Sequence, residues 1–213
     1  HASQANHISG LLFAWRPFRD SLWAALAVKA ERKGRAAHDY VLARQIEPSL
    51  HWFLCLLGGH RSHLCRPWLY SSHHAEAAEV SMVLGASLVG CGAVLIINGA
   101  IVAYFADVVS KHDVRIVKTQ PGKAEGQQTW EALCQLTALR TWKKHWMTRR
   151  CMLCVKSDNK ATLTLVAKLK ARWARAVIAK DLWLLLADFS SEPKPAGHVL
   201  GVYHGLADTV SRL

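Results

Sequence analysis

The chain has 213 residues, enough to bury a sizeable core in one large domain or two small ones. Its 27 lysines and arginines exceed its 15 aspartates and glutamates, and the net charge of +12 indicates a polyanionic partner such as nucleic acid. The six scattered cysteines are typical of reduced thiols, and the absence of a basic segment followed by an apolar one excludes a recognisable secretory signal, so an intracellular location in cytoplasm or nucleus is expected.

Helical spacing of apolar residues dominates the first 60 residues. It predicts one helix within residues 10–30 and a second over residues 38–57, with Pro48 as a kink and Gly58-Gly59 as the stop. Residues 61–79 are polar and irregular, which is typical of a linker. Because the chain starts with histidine and not methionine, we interpret it as a fragment of a longer protein.

The stretch from Val80 to Phe105 has no charged side chain and is long enough to cross a bilayer as a helix. Its interior favours a β-hairpin instead, because Asn98-Gly99 stands between two blocks rich in β-branched and aromatic residues. Folding about this turn predicts the pairs Ile97–Ala100, Ile96–Ile101, Leu95–Val102 and Gly92–Phe105. A third strand before the hairpin would complete a buried antiparallel meander covered by helices. We therefore expect neither a membrane helix nor a membrane partner.

The second half of the chain alternates helices with strands. The predicted order is a loop over 118–126, a helix over 127–142, a strand over 149–157, a helix from 159 to about 171, a helix over 172–189, a strand over 198–202 and a helix over 205–213. Three strands, a helix, a strand, two helices, a strand and a helix make an α/β plan with a mixed sheet.

Three acidic residues, Glu131, Asp158 and Asp208, stand where strand ends and helices could bring them together. Hydrolysis of a phosphodiester by two metal ions needs carboxylates that converge on one sheet edge, and Mg²⁺ prefers such oxygen ligands. Each residue also has a purely structural interpretation. Asp158 could cap the following helix, Asp208 could pair with Arg212, and Glu131 could be an ordinary exposed helix residue.

Three segments resemble the RNase H-like domain of retroelement reverse transcriptase polyproteins: "AEGQQTWEALCQLTALRTW", "VKSDNKATLTLVAKLKA" and "HVLGVYHGLADTVSRL". The resemblance covers about residues 80–213, after the linker. Upstream, "RPFRDSLWAAL" and "ARQIEPSLHWFLCLL" within residues 1–60 resemble the helical thumb or connection region of the same polyproteins. The resemblance implies a five-stranded mixed sheet flanked by helices, Mg²⁺-dependent cleavage of RNA in RNA:DNA hybrids, and the remainder of the polyprotein as a partner.

The resemblance also assigns site residues. Glu131, Asp158 and Asp208 match three of the family's four metal-binding carboxylates, which would hold Mg²⁺ or Mn²⁺. His198 matches the histidine of a mobile loop that assists product departure or proton transfer. Glu125 is the alternative for the helical glutamate.

The fourth carboxylate is missing, because "LGASLVG" places Gly85 where the family has its first aspartate. Leu88-Val89, Leu200 and His204 also depart from the family pattern, which indicates a degenerate copy. We expect weak metal binding and weak or no nuclease activity. We also expect Gly85→Asp to be sterically mild, to tighten Mg²⁺ binding and to raise hybrid cleavage.

Two other functions stay open from the sequence. The first is non-catalytic binding of an RNA:DNA hybrid or duplex through a basic surface with one aromatic side chain, formed by Lys168, Lys170, Arg172, Arg175 and Trp173. The second is zinc binding by Cys55, His60, His63 and Cys65, or by Cys151 and Cys154. Neither zinc set has convincing spacing, since the first is irregular and the second lies within one strand.

Overall fold

The structure is a computed structural model that describes residues 18–19, 22–23, 43–59, 77–147, 151–168, 175–187, 197–198 and 205–212. The chain divides into two compact units, residues 1–66 and residues 67–213.

In the first unit, helix α1 spans Ala43–Leu57 and contains Pro48. The ring of Phe18, which is 3% exposed, lies 5.5 Å from the ring of Trp52 and 5.9 Å from that of Phe53. The second predicted helix is therefore confirmed from Ala43 onward. Most of the helix predicted over residues 10–30 and of the predicted linker lies outside the described residues.

The second unit is built on one mixed sheet. Its strands are β1 (Ala78–Ala86), β2 (Gly90–Ile97), β3 (Ala100–Val108), β4 (Cys151–Ser157) and β5 (Gly197–His198), in the order β3-β2-β1-β4-β5. Strands β1, β2 and β3 are antiparallel neighbours, whereas β4 is parallel to β1 and β5 is parallel to β4. The predicted α/β class is confirmed. The sheet has four strands of seven to nine residues, and the expected fifth strand is a pairing of only two residues.

The hairpin between β2 and β3 turns at Asn98 and Gly99, which have φ values of 49° and 82° as a two-residue turn with two left-handed positions requires. The predicted pairs next to the turn, Ile97–Ala100 and Ile96–Ile101, are confirmed. Beyond them a bulge shifts the register by one residue, so that Leu95 pairs with Ala103 and Gly92 with Ala106. The predicted pairs Leu95–Val102 and Gly92–Phe105 are wrong because the extra residue of a bulge has no partner.

The prediction of a buried meander is wrong for β3. Ile101 is 61% exposed and Tyr104 and Val108 are each 67% exposed, because β3 is the edge strand of the sheet. Only Ala103 and Phe105 pack against the core, and the Phe105 ring lies 5.4 Å from that of Trp142. Strands β1 and β2 are buried as predicted.

Six helices of the second unit are described: α2 (Lys111–Val117), α3 (Gln127–Thr141), α4 (Lys143–Trp146), α5 (Lys160–Lys168), α6 (Arg175–Ala187) and α7 (Gly205–Val210). The predicted helix over residues 127–142 is confirmed as α3, and α5, α6 and α7 begin within a few residues of their predicted starts. Helices α2 and α4 were not predicted. No helix among the described residues is long and apolar enough to span a bilayer.

The core lies between α3 and one face of the sheet. Met82 on β1, Leu95 on β2 and Leu153 on β4 are buried there against Trp130 and Ala138 of α3. Successive side chains of a strand point to opposite faces, so Gly85 and Gly92 belong to the other face. Helix α7 packs on that face.

Candidate active site

The parallel strands bring the predicted site residues to one edge of the sheet. Val83 on β1 pairs with Lys156 on β4 as the last pair between these strands, and Gly85 and Asp158 each follow that pair by two residues at the same end of the sheet. Ser157 pairs with His198 on β5. The carboxyl ends of all three parallel strands therefore meet where the family resemblance places the site.

Glu131 projects from α3 and is only 8% exposed, so it is not the ordinary exposed helix residue of the structural interpretation. Thr162 Oγ1 donates to its Oε2 at 3.1 Å, and Gln127 Nε2 lies 3.4 Å from its Oε1. Burial raises the pKa of the Glu131 carboxyl above its ordinary value, and the nearby negative charge of Asp158 raises it further. Hydrogen bonds from Asn159, Thr162 and Gln127 act in the opposite direction, because they stabilise the carboxylate.

The partners of Glu131 tie three elements together. Gln127 Nε2 also donates to the carbonyl oxygen of Ala86 at the end of β1. Thr162 lies in the first turn of α5, and its backbone N–H lies 3.4 Å from Asn159 Oδ1. The cap of α5, which the structural interpretation gave to Asp158, thus comes from Asn159.

Asp208 forms a salt bridge within its own chain segment. Its Oδ2 lies 2.6 Å from Nη2 of Arg212, four residues further on, and the Asp208 side chain is 49% exposed. The pairing proposed as a structural interpretation is therefore confirmed. Asp158 lies just after β4 and is exposed.

Gly85 lies directly beneath α7. A Cβ added at Gly85 would lie 2.7 Å from the Ala207 carbonyl oxygen and 3.2 Å from the Asp208 backbone nitrogen. Both contacts are with backbone atoms, which a side-chain rotation cannot move away. The expectation that Gly85→Asp is sterically mild is therefore wrong.

Several predicted residues lie wholly or partly outside the described part of the chain. The backbone of His198 is described in β5 and that of Glu125 in a short 3₁₀ turn, Ala124–Gly126, but their side chains are not. In the predicted basic surface, Lys170, Arg172 and Trp173 lie outside, while Lys168 ends α5 and Arg175 begins α6.

The zinc alternatives find no support among the described residues. Of the first set only Cys55 is described, and its Sγ lies 3.6 Å from Nε2 of His51. Cys151 is buried in the core, and Cys154, three residues along the same strand, points to the other face of the sheet. Leu200 and His204, which depart from the family pattern, lie outside the described ranges.

The described carboxylates do not fit a divalent cation in this arrangement. Within the described ranges no three histidine, cysteine, aspartate or glutamate side chains come together as a metal site. Gly85 stands at the position of the missing carboxylate and faces the backbone of α7, so the space that a carboxylate would fill is already occupied. The assignment of Mg²⁺ to Glu131, Asp158 and Asp208 stays a prediction from the resemblance.

Four residues that shape this site were not predicted from the sequence. Gln127 and Asn159 do have a local signal, because Gln127 precedes Glu131 by one helical turn and asparagine is a favoured helix cap. Thr162 and Cys134 carry no local signal. Cys134 lies on α3, and its Sγ is 3.3 Å from the Gly92 carbonyl oxygen on β2 and 3.5 Å from the Gly85 carbonyl oxygen on β1.

No protein-family profile matches the chain, and no curated protein matches it. Several solved structures are similar. RNase H1 from the halophilic archaeon Halobacterium salinarum is 14% identical over 64% of this chain and 96% of its own, with a TM-score of 0.45. LC11-RNase H1 in complex with an RNA/DNA hybrid is 10% identical over 63% and 94%, with a TM-score of 0.49.

A foamy viral protease-reverse transcriptase in complex with double-stranded DNA is 12% identical over 92% of this chain and 41% of its own, with a TM-score of 0.31.

Proposed function

We propose that residues 80–213 form the RNase H-like domain of a retroelement reverse transcriptase polyprotein, and that the domain binds RNA:DNA hybrids or duplexes with weak or no cleavage. One observation carries the proposal. The positions that match the family's site residues lie at the same end of the parallel strands, and the first of these positions is Gly85 instead of an aspartate. Val83 pairs with Lys156, Gly85 and Asp158 each follow that pair by two residues, and the backbone nitrogen of Asp208 lies 3.2 Å from a Cβ placed on Gly85.

The net charge of +12 supports a nucleic-acid partner. Lysine and arginine side chains attract phosphates whatever the base sequence, and each neutralised phosphate releases counterions. Binding should therefore weaken steeply as salt rises.

The weak or absent cleavage follows from the chemistry of the site. Two-metal hydrolysis needs a set of carboxylates that can hold both ions. Gly85 supplies none, and the backbone of α7 takes the space that a carboxylate there would need. Without the ions, the chain's own groups can hold a duplex but cannot activate water for attack on phosphorus.

A binding assay tests the proposal. A fluorescently labelled RNA:DNA hybrid is titrated with the chain at several salt concentrations and followed by anisotropy. The variant Lys168→Glu/Arg172→Glu/Arg175→Glu should weaken binding and flatten the salt dependence by about 0.9 in slope for each phosphate that is no longer neutralised.

The control variant is Lys111→Glu/Lys123→Glu/Lys143→Glu. It replaces three exposed lysines outside the assigned surface and changes the net charge by the same amount. Equal weakening by both variants would show a diffuse attraction and contradict the assigned surface. Binding that ignored salt would contradict the proposal itself.

A cleavage assay with Mg²⁺ or Mn²⁺ separates a binding module from an enzyme. We expect weak cleavage or none. Rapid cleavage by the parent chain, with many turnovers of hybrid per chain, that Asp158→Asn abolishes would show a working nuclease and contradict the loss of activity.

A further inference from the structure

The backbone of α7 and of the turn that follows it packs closely against three glycines on β1 and β2. Gly85 and Gly92 are direct cross-strand partners, and Gly90 begins β2. An added Cβ would lie 2.7 Å from the Ala207 oxygen at Gly85, 2.8 Å from the Ser211 oxygen at Gly90 and 2.6 Å from the Ser211 nitrogen at Gly92. We call these three residues the glycine seat.

One hydrogen bond joins the end of the α7 segment to the loop after β1. Ser87 Oγ donates to the Ser211 carbonyl oxygen at 3.1 Å, and Ser211 Oγ donates within its own segment to the Asp208 carbonyl oxygen at 2.9 Å. Ala207, Val210 and Ser211 are buried. The close approach is therefore an integral packing contact of this domain.

The other face of the sheet is blocked as well. Cys134 on α3 contacts the carbonyl oxygens of Gly85 and Gly92 and is itself fully buried. Because α3 packs below the two glycines and α7 packs above them, the strands cannot shift to accommodate a side chain without disturbing one of the two helices.

Glu131 also takes part in the packing. It joins α3 to Thr162 of α5, whereas Asp208 pairs with Arg212 four residues further on in its own segment. A carboxylate that accepts one such bond keeps further lone pairs, so the feature that opposes a metal site is the backbone of α7 against Gly85.

From these contacts we infer that the family's catalytic edge has become a packing joint, in which the backbone of α7 occupies the place of the first carboxylate and Glu131 links α3 to α5. The inference rests on the proposed function, because that resemblance fixes which position Gly85 holds. It follows that the domain holds nucleic acid without a resident divalent cation. Restoring an aspartate at Gly85 does not rebuild a metal site, because its carboxylate meets the backbone of α7.

Thermal unfolding of the chain without nucleic acid tests the inference. Gly85→Ala and Gly85→Asp should each lower the Tm by roughly 5–10 °C, because overpacking a filled site is destabilising. The control is Gly205→Ala, since nothing lies within 4 Å of a Cβ there and its φ is not in the left-handed region. It should leave the Tm nearly unchanged. A Gly85→Ala variant as stable as Gly205→Ala would overturn the glycine seat.

Metal binding is measured on the parent chain, so the test does not depend on whether Gly85→Asp folds. The Tm should be the same in MgCl₂ and in NaCl of equal ionic strength, and calorimetric titration with Mg²⁺ or Mn²⁺ should give no saturable heat. A Mg²⁺-specific rise in Tm that Asp158→Asn removes would overturn the inference, as would hybrid cleavage gained by Gly85→Asp.

The two proposals fail separately. Salt-dependent hybrid binding reports on the proposed function, and Mg²⁺ titration of the chain alone reports on the packing joint. Hybrid affinity should not rise in Mg²⁺ relative to EDTA at matched ionic strength, because without a metal site on the chain Mg²⁺ acts only as a counterion of the nucleic acid.

Discussion

Gln135 on α3 is fully buried, and neither its Nε2 nor its Oε1 has a hydrogen-bond partner among the described residues. A buried amide group left unpaired costs about 1–3 kcal/mol. Methionine has a similar length and a flexible apolar side chain that fills irregular space. We therefore expect Gln135→Met to raise the free energy of unfolding.

The gain should be about 2 kcal/mol, less than the cost of two unpaired groups, because the new side chain does not repack perfectly. For a chain of this size that corresponds to a rise in Tm of about 4–8 °C. Urea denaturation followed by circular dichroism should show a higher midpoint at an unchanged m-value.

Gln128→Met is the matched control, because Gln128 lies on the same helix and is exposed. It should change the free energy of unfolding by less than about 0.5 kcal/mol. A loss of stability in Gln135→Met would refute the reasoning, since it would mean that the amide is satisfied in solution by water or by a rearranged neighbour.

Two further changes give defined outcomes. The pKa of Glu131 is higher in the folded chain than in the unfolded chain. Above the folded-state pKa, the charged carboxylate therefore lowers the free energy of unfolding, and this loss disappears as the pH falls from the folded-state pKa to the unfolded-state pKa. Glu131→Gln should remove this gain of stability on acidification, as measured by urea midpoints at a series of pH values, and an unchanged pH dependence would contradict the assignment. Gly99→Ala should lower the free energy of unfolding by about 1 kcal/mol, because Gly99 has φ of 82° in an open turn where only the backbone conformation opposes a side chain. An unchanged urea midpoint would mean that the turn adopts another conformation.

Features set by neighbouring residues were predictable from the sequence. The Asn98-Gly99 turn, helix α3 and the Asp208–Arg212 pair each depend on residues within a few positions of one another. Helix α2 was missed although its signal is local. Ser110 and Asp113 form a capping box, in which Ser110 Oγ accepts from the Asp113 backbone and Asp113 accepts from that of Ser110.

Features set by distant segments were not predictable. The bulge in β3 changes the register without any marker in the sequence, and the exposure of β3 depends on its place at the sheet edge. The glycine at position 85 could be recognised as a missing carboxylate. That α7 packs onto it is a contact between residues more than a hundred positions apart, which no local pattern encodes.

The exposed edge strand β3 connects self-association of the chain with the proposed binding of nucleic acid. A long apolar edge strand is a template on which another chain can add a strand. Strand β3 has this character, because its side chains Ile101, Tyr104 and Val108 are exposed. The charge of +12 holds copies apart at low salt, but at physiological ionic strength the repulsion is screened beyond about 8 Å. Under the proposed function, rising salt weakens both the binding of nucleic acid and the repulsion between copies. Nucleic acid bound as proposed would add negative charge that keeps copies apart, and its release would favour self-association through β3.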